Sequence, residues 1–242
     1  MNEQIYIPSL ASTNAWMQQK WQADNLPEGV LVHTSFQTNG RGQLTNTWES
    51  EKEKNLLFSI LFRPVWLSVK EQFLLSQAVA LAVVDFLSTM ADGFMVKWPN
   101  DIYWRDKKIA GILIENNLSG TTIAASIVGI GLNVNQKKFV SDAPNPISLW
   151  QIIGRESNLS VCLNELQAAL KRRYLQAQQQ PQEVRSDYLK VLYRYQQWAM
   201  YEDEYGVFEG CIECVEPQGF LHVKDREGKD RRYAFKEVHF LL

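Results

Sequence analysis

The segment QFLLSQAVALAVVDFLSTM (72–90) constrains the fold more than any other part of the chain. Its apolar residues recur at helical spacing and cover most of the helix surface, which predicts a central helix packed on several sides. Ser68 and Glu71 precede it at the spacing of a capping box and predict where the helix begins. A helix of this kind is buried only if other elements surround it.

Strand-like and helix-like runs alternate around this segment. VLVHTSFQ, NLLFSILFRP, FMVKW, KIAGILIEN and TIAASIVGIGLNVN have the composition of strands, and PNDIYWRDK and NNLSGT have that of turns. TNAWMQQKW predicts an early helix, and residues 160–178 and 181–195 predict two later ones. The alternation favours a main domain of mixed α and β structure.

The hydrophobic pattern of the sequence changes after residue 195. Short alternating runs follow, GVFEGCIECVE, FLHVKD and RRYAFKEV, separated by PQG and REGKD. They predict a small antiparallel β-barrel, so we expect one domain over 1–195 and a second over 196–242. A segment this short buries little apolar surface alone, and we expect it to pack on the first domain.

Charge and composition exclude several classes of protein. Lysine and arginine total 25 against 27 acidic residues, which gives no reason to expect DNA or membrane-surface binding. No secretory signal and no apolar run of about 18 residues is visible, so we expect a cytoplasmic protein. Three cysteines make a disulfide framework improbable, and CIEC is better explained by strand alternation than as half a zinc site. The three histidines lack metal-ligand spacing and are expected to pack on strand faces.

Two glycine-rich segments have features that suit a ligand. NGRGQ (39–43) holds Arg41 between two glycines, which let the backbone approach a ligand while the guanidinium bonds phosphate or carboxylate oxygens. An ordinary solvated turn explains the same triplet. GIGLN (129–133) would weaken a strand unless something packs where the side chains are missing.

Two further segments, KWPND (97–101) and KIAG (108–111), place charged residues beside apolar strands. Lys97 and Lys108 are candidate functional residues, because a lysine is rarely placed beside apolar strands for structure alone, although a strand-end lysine that extends into solvent is an alternative for each. Asp101 is a candidate ligand residue or the closing residue of an Asx turn after Pro99.

The order of these motifs resembles the biotin protein ligases, which attach biotin to a lysine of biotin-dependent carboxylases. The resemblance covers nearly the whole chain and rests on STN (12–14), QTNGRGQ…NTW (37–48), KWPNDIY (97–103), KIAGILIE (108–115), GIGLNVN (129–135) and the C-terminal runs. It implies an α+β fold in which a mixed β-sheet is backed by helices, the class II aminoacyl-tRNA-synthetase-like catalytic fold of biotin and lipoate ligases, followed by an SH3-like β-barrel domain. It also implies biotin, ATP and Mg²⁺ as ligands and a biotin carboxyl carrier protein as partner, and it leaves a homodimer open.

The same resemblance implies roles for individual residues. Arg41, Lys97 and Lys108 would be catalytic, because both activation of biotin as biotinyl-5′-AMP and its transfer concentrate negative charge. The remaining roles are biotin binding by Ser12, Thr13, Gln37, Gly40, Arg41, Gly42, Lys108, Gly111, Gly129 and Gly131, binding of ATP or the adenylate by Arg41, Gln43, Trp48, Lys97 and Asn133, and binding of Mg²⁺ by Asp101.

One departure from the family pattern has a predicted consequence. Many members carry a basic residue after the glycine–arginine–glycine triplet and a glycine two places later, whereas this chain has Gln43 and Thr45. Because Gln43 carries no charge, we expect the adenylate to escape sooner, with its formation retained.

Two other functions remain open at this point. A lipoate or octanoate ligase of the same fold would be favoured by an arginine pair before a glycine triplet, which is not present. A biotin-sensing regulator would carry an N-terminal helix-turn-helix domain, for which we expect no room because STN begins at residue 12.

Overall fold

The computed structural model describes residues 3–43, 46–140 and 145–241. Its elements in chain order are β1 (Gln4–Ile7), α1 (Thr13–Asp24), β2 (Leu31–Thr34), β3 (Leu56–Phe62), a 3₁₀ turn (Val69–Glu71), α2 (Phe73–Ser88), β4 (Phe94–Lys97), β5 (Asp101–Trp104), β6 (Lys107–Ser119), β7 (Thr122–Leu132), α3 (Leu149–Ile153), α4 (Leu159–Gln179), α5 (Pro181–Lys190), β8 (Trp198–Asp203), β9 (Gly206–Val215), β10 (Leu221–Asp225), β11 (Asp230–Tyr233) and β12 (His239–Phe240). None of the described helices is both long and apolar enough to cross a membrane.

The first seven strands form one mixed sheet in the order β1-β2-β3-β7-β6-β5-β4. β1 runs parallel to β2, and every other neighbouring pair is antiparallel. One face of the sheet packs on α2, which is buried on most of its surface and contacts α4 and α5 on its far side. α1 covers part of the other face, around Met17. The prediction of a mixed sheet backed by helices with α2 at its centre is confirmed.

The capping box predicted for α2 is wrong. Ser68 Oγ accepts a hydrogen bond from Lys70 N at 3.3 Å and caps the 3₁₀ turn, while α2 begins two residues after that turn. Glu71 does not reach back to Ser68, because its carboxylate accepts a hydrogen bond from Arg185 of α5 at 2.9 Å. A tertiary ion pair has replaced the local cap.

Two further expectations about local structure were wrong. The segment PNDIYWRDK contains a strand, β5, which lies between β4 and β6 and is paired on both sides. The last helix ends at Lys190 rather than Tyr195, because the chain turns there to pair with β4 through a bridge between Leu192 and Val96. In both cases strand pairing determines the structure: β5 forms short hairpins with its chain neighbours β4 and β6, and Leu192 bridges to Val96, which is distant in the sequence.

The last five strands form a second, antiparallel sheet in the order β11-β10-β9-β8-β12. It matches the predicted SH3-like unit, although its pairing within the described residues leaves β11 and β12 as edges and does not close a barrel. This sheet packs on the first: Trp98 Nε1 donates to Gly219 O at 2.9 Å, and the Trp98 and Phe235 rings meet edge-on at 5.4 Å. The domain boundary at 195/196 stays a prediction.

Candidate functional site

The strand register gathers the sequence motifs into one place. Lys97 of β4 pairs with Asp101 of β5, Asp101 pairs with Gly111 of β6, and Gly111 pairs with Gly131 of β7. Directly paired residues share a face of a sheet, so this row points toward one side. Four segments separated in sequence therefore contribute to a single surface.

A cavity of about 1030 Å³ lies over this row. Every predicted site residue except Gly40 lines it, namely Ser12, Thr13, Gln37, Arg41, Gly42, Gln43, Trp48, Lys97, Asp101, Lys108, Gly111, Gly129, Gly131 and Asn133. Gly40 lies just behind the wall, where its carbonyl accepts a hydrogen bond from Trp48 N at 3.0 Å. A Cβ on Gly40 would lie 2.6 Å from Trp48 O, so this close approach requires a glycine.

The missing side chains of the strand glycines make room for two cavity residues. A Cβ on Gly131 would lie 2.4 Å from Trp48 Cε2, and one on Gly111 would lie 2.9 Å from Trp48 Cζ3. The indole of Trp48 therefore lies against the backbone of β6 and β7. At Gly129 the space is taken by Asn14, whose Oδ1 would lie 2.2 Å from a Cβ. These contacts give the strand glycines of GIGLN the packing role that the sequence required.

Polar side chains at the start of α1 form a connected buried group. Ser59 Oγ lies 2.8 Å from Thr13 Oγ1 and 2.6 Å from Asn14 Oδ1, and Gln37 Oε1 accepts from Thr13 N at 2.8 Å. Ser12 Oγ caps α1 and accepts from Ala15 N. The sequence analysis found Ser12, Thr13 and Gln37 but missed Asn14 and Ser59.

Two lysines and Asp101 carry charge into the cavity. Lys108 Nζ lies 2.7 Å from Asp101 Oδ1 and 5.7 Å from the centre of the Trp48 ring. Lys97 Nζ donates to Tyr103 OH at 3.2 Å and lies over the Tyr103 and Phe240 rings. Both ammonium groups thus contact cavity residues, which argues against lysines that merely extend into solvent.

The pKa of Lys97 is held below its usual value. Burial is the main cause, since it disfavours the charged form, and the neighbouring charges of Lys108 and Arg194 act in the same direction, while Asp101 opposes them. Burial also raises the pKa of the Tyr103 hydroxyl, so that this group remains a neutral hydrogen-bond partner. An anionic ligand placed beside Lys97 would relieve this repulsion.

Arg41 lies at the cavity edge and pairs with Glu115 of β6. Its Nη2 is 3.2 Å from Glu115 Oε2, which also accepts from Asn14 Nδ2 at 2.8 Å. Both side chains of the ion pair are about 40% exposed, at 42% and 36%, so the guanidinium can exchange this partner for a ligand. The predicted departure from the family pattern falls partly outside the described residues, because Gln43 is described and Thr45 is not.

Two polar atoms in the cavity wall have no hydrogen-bond partner within the described residues. They are Trp48 Nε1, a donor, and Asn133 Oδ1, an acceptor. Asn133 Nδ2 donates to Ile147 O at 3.1 Å, which orients its free carbonyl oxygen. Buried polar atoms usually have partners, so these two indicate where a ligand would bond.

A metal site made by protein ligands alone is not found in the described part of the chain, where no three His, Cys, Asp or Glu side chains cluster. Asp101 is a carboxylate in the cavity wall, with one oxygen paired to Lys108. Mg²⁺ is commonly held by one or two carboxylates together with substrate phosphates and water. The residues present therefore fit an ion that arrives with a nucleotide.

The second sheet contributes cavity residues that the sequence analysis did not assign. The residues are Lys236, Val238, His239 and Phe240. His239, expected to pack on a strand face, lies in β12 and pairs with Glu202 of β8. No local signal distinguishes them, since they reach the cavity only because the second sheet packs on the first. Phe139 and Pro146, which follow β7, also line the cavity without having been assigned, and Pro146 lies there through its bridge to Lys108.

A comparison with protein families agrees with this geometry. The model of the "Biotin/lipoate A/B protein ligase family" matches residues 6–133, which include the four motifs and the row across β4 to β7. The chain belongs to the biotin/lipoate A/B protein ligase family. Membership confirms the resemblance that the motifs indicated.

Curated relatives in this family include ligases and ligase–repressors. The "Bifunctional ligase/repressor BirA" of Bacillus subtilis is 32% identical over 62% of this chain and 47% of its own length, and that of Escherichia coli is 30% identical over 68% and 52%. The "Biotin--[acetyl-CoA-carboxylase] ligase" of Mycobacterium tuberculosis is 27% identical over 75% and 68%. The chain spans about half the length of the first two relatives.

Solved structures support the fold over the full chain. "Biotin protein ligase from Aquifex aeolicus in complex with biotin and ATP" superposes with a TM-score of 0.81 at 24% identity and covers 100% of both chains. At this identity the likeness establishes the fold, including the second sheet.

Proposed function

We propose that this member of the family is an ATP-dependent biotin protein ligase. It activates biotin as biotinyl-5′-AMP and then transfers biotin to a lysine of a carrier protein. The observation that carries the proposal is the row from Lys97 to Gly131, which together with Lys108 beside Asp101 places two lysines, a carboxylate and a Trp48-covered glycine surface in one cavity. A volume of about 1030 Å³ suits two ligands bound together.

In the first step, a carboxylate oxygen of biotin attacks the α-phosphorus of ATP, and the bond from that phosphorus to the β-phosphate oxygen breaks. Pyrophosphate leaves, and a mixed anhydride remains. Negative charge builds on the phosphoryl oxygens as the two anions approach. Arg41, Lys97 and Lys108 would stabilise this charge and align the reactants, which is the main requirement for the reaction.

Mg²⁺, when bound with ATP, would neutralise part of the phosphate charge, and Asp101 is the residue that would hold it. Asp101 would also keep Lys108 in place through their 2.7 Å contact. The carboxylate thus has a positioning role whether or not it contacts the ion.

In the second step, the neutral amine of the acceptor lysine attacks the acyl carbon, the bond to the phosphate oxygen breaks and AMP leaves. The amine loses its extra proton as the amide forms. The same cations remain beside the departing phosphate, so one cavity serves both steps.

Ligand orientation follows from the polar groups of the cavity wall. The buried group at the start of α1, with Ser12, Thr13 and Gln37, would bond the ureido ring of biotin. Asn133 Oδ1 would accept from the adenine amino group, and Trp48 would lie beside the adenine. The glycines of the cavity would let a ligand approach the backbone closely or make room for the side chains that contact it. They are Gly40, Gly42, Gly111, Gly129 and Gly131.

A cytoplasmic location and a carboxylase carrier protein as partner are parts of this proposal. All three cysteines are free, as expected in a reducing compartment. Neither DNA binding nor a homodimer is needed for the chemistry.

Transfer to a carrier tests the proposal. The purified chain is incubated with ATP, Mg²⁺ and a biotin carboxyl carrier domain, in parallel with biotin, lipoate or octanoate. Mass spectrometry should show a biotin adduct that is lost when the acceptor lysine of the carrier is replaced by arginine. A lipoyl or octanoyl adduct in place of biotin would assign the chain to the lipoate branch, and operator DNA binding without any adduct would indicate a regulator.

A further inference from the structure

Gln136 is a buried amide outside the predicted motifs, in the segment that follows β7. It is only 1% exposed, and its carboxamide makes four hydrogen bonds. Oε1 accepts from Glu51 N at 3.0 Å and from Asn55 Nδ2 at 2.5 Å. Nε2 donates to Lys138 O at 2.9 Å and to Glu49 Oε1 at 3.4 Å. A glutamine can make no more than this, so its bonding capacity is filled.

The partners of Gln136 join two segments that border the cavity. One runs from Glu49 to Asn55, directly after Trp48, and the other runs from 134 to 140. Asn55 Oδ1 accepts from Val134 N at 3.0 Å, and Glu49 Oε1 accepts from Val140 N at 3.0 Å. Gln136 lies between these two contacts and completes a clamp along both segments.

The clamp ends at the residue next to Trp48. On its other side, Trp48 N donates to Gly40 O, and the indole lies against Gly111 and Gly131. The Trp48 backbone is therefore fixed from both directions, while its Nε1 has no partner in the described chain. The orientation of the indole ring therefore depends on two contacts that hold the backbone, the hydrogen bond to Gly40 before Trp48 and the clamp at Glu49 after it.

We propose that Gln136 is a positioning residue that fixes Trp48 in the cavity wall before substrate binds. The proposal rests on the ligase function above, because Trp48 contacts the adenylate in that function. Gln136 itself is buried behind Glu49 and is not among the residues that line the cavity. Its role requires both donor and acceptor capacity, which among side chains of this length only an amide supplies.

The isosteric change Gln136→Glu tests this requirement. It replaces two donors with acceptors and brings a second carboxylate to Glu49, so the clamp should open beside Trp48. Adding Glu49→Gln restores a donor at that contact and removes the like charge. We expect Gln136→Glu to raise the ATP KM of adenylate formation about ten-fold or more, and the double variant to recover most of the loss.

Repeating the change in a Trp48→Ala background separates positioning from folding. If Gln136 acts through Trp48, the change should alter the ATP KM by less than about two-fold in that background. An equal rise in both backgrounds would overturn the proposal. Should Gln136→Glu fail to fold, Glu49→Ala opens the same clamp from a half-buried position and the same comparison applies.

A spectroscopic readout decides the matter independently of activity. The emission spectrum of Trp48 is obtained by subtracting the spectrum of the matching Trp48→Phe variant from that of each protein. Gln136→Glu should shift this emission to longer wavelength, and the double variant with Glu49→Gln should shift it back. An unchanged Trp48 emission in Gln136→Glu would contradict the proposal, while absence of adenylate formation in the unmodified chain would contradict only the ligase function.

Discussion

Gly131→Ala probes the contact between Trp48 and the strand glycines. The new Cβ would lie 2.4 Å from Trp48 Cε2 and 2.7 Å from Nε1. Carbon atoms pack at about 3.5–4.0 Å, so the indole must move by about 1 Å. Overpacking of this size costs about 1–3 kcal/mol if the ring stays, and a reacting group displaced by about 1 Å can lose about 100-fold in rate.

We expect the ring to move, because Nε1 has no partner within the described residues to hold it. Gly131→Ala should then reduce kcat/KM for ATP by about 10- to 100-fold with a modest change in melting temperature. Gly111→Ala is the matched variant, since its Cβ would lie 2.9 Å from Trp48 Cζ3 and demands a smaller shift. Pyrophosphate release under single-turnover conditions measures both.

The ranking of the two variants is the critical result. Normal kinetics for Gly131→Ala, or a larger loss for Gly111→Ala than for Gly131→Ala, would show that Trp48 does not form the working cavity wall against β6 and β7.

Three further predictions concern charge. Arg41→Ala should lower the rate of adenylate formation by roughly 30- to 900-fold, equivalent to about 2–4 kcal/mol. It should change the free energy of unfolding by less than about 1 kcal/mol, because the ion pair of Arg41 is exposed. An unchanged rate would show that Arg41 is not one of the catalytic residues. Gln43→Arg should slow release of biotinyl-adenylate in trapping experiments without acceptor while altering its formation less, and equal or faster release would show that residue 43 does not retain the intermediate. Glu216 has its pKa lowered from 4.5 to about 2 by Arg232 and then His222, so its stabilisation is complete above pH 4.5 and is lost as the pH falls toward 2. Glu216→Gln should therefore unfold more easily than the native chain at pH 7, with the difference closing near pH 2 in denaturant titrations, and a constant difference would refute this linkage.

The central helix and most strands of the first sheet could be predicted because their apolar periodicity is local. β5 could not, since the turn-forming Asn100 and Asp101 stand immediately before it and at its first position, and they obscure a four-residue strand that forms hairpins with its neighbours β4 and β6. The capping box failed for a different reason: Glu71 bonds Arg185, over a hundred residues away. Local patterns indicate elements, whereas tertiary partners determine their ends.

The residues of the candidate site likewise fall into those that the sequence could identify and those that it could not. Residues within motifs, such as Lys97 and Gly131, were found because their side-chain types are unusual beside apolar strands. Lys236 and Phe240 were not, since they reach the cavity only through packing of the second sheet. Gln136 has no motif at all, and only its burial and its four hydrogen bonds reveal it.

Isotope exchange between pyrophosphate and ATP tests the central claim most directly, because it reports the first half-reaction without any carrier protein. The chain is incubated with ATP, Mg²⁺ and labelled pyrophosphate, alone and with biotin, lipoate or octanoate. The ligase function predicts exchange that requires biotin and is not supported by the other two acids. Exchange supported by lipoate or octanoate but not by biotin, or no exchange with any acid, would contradict it.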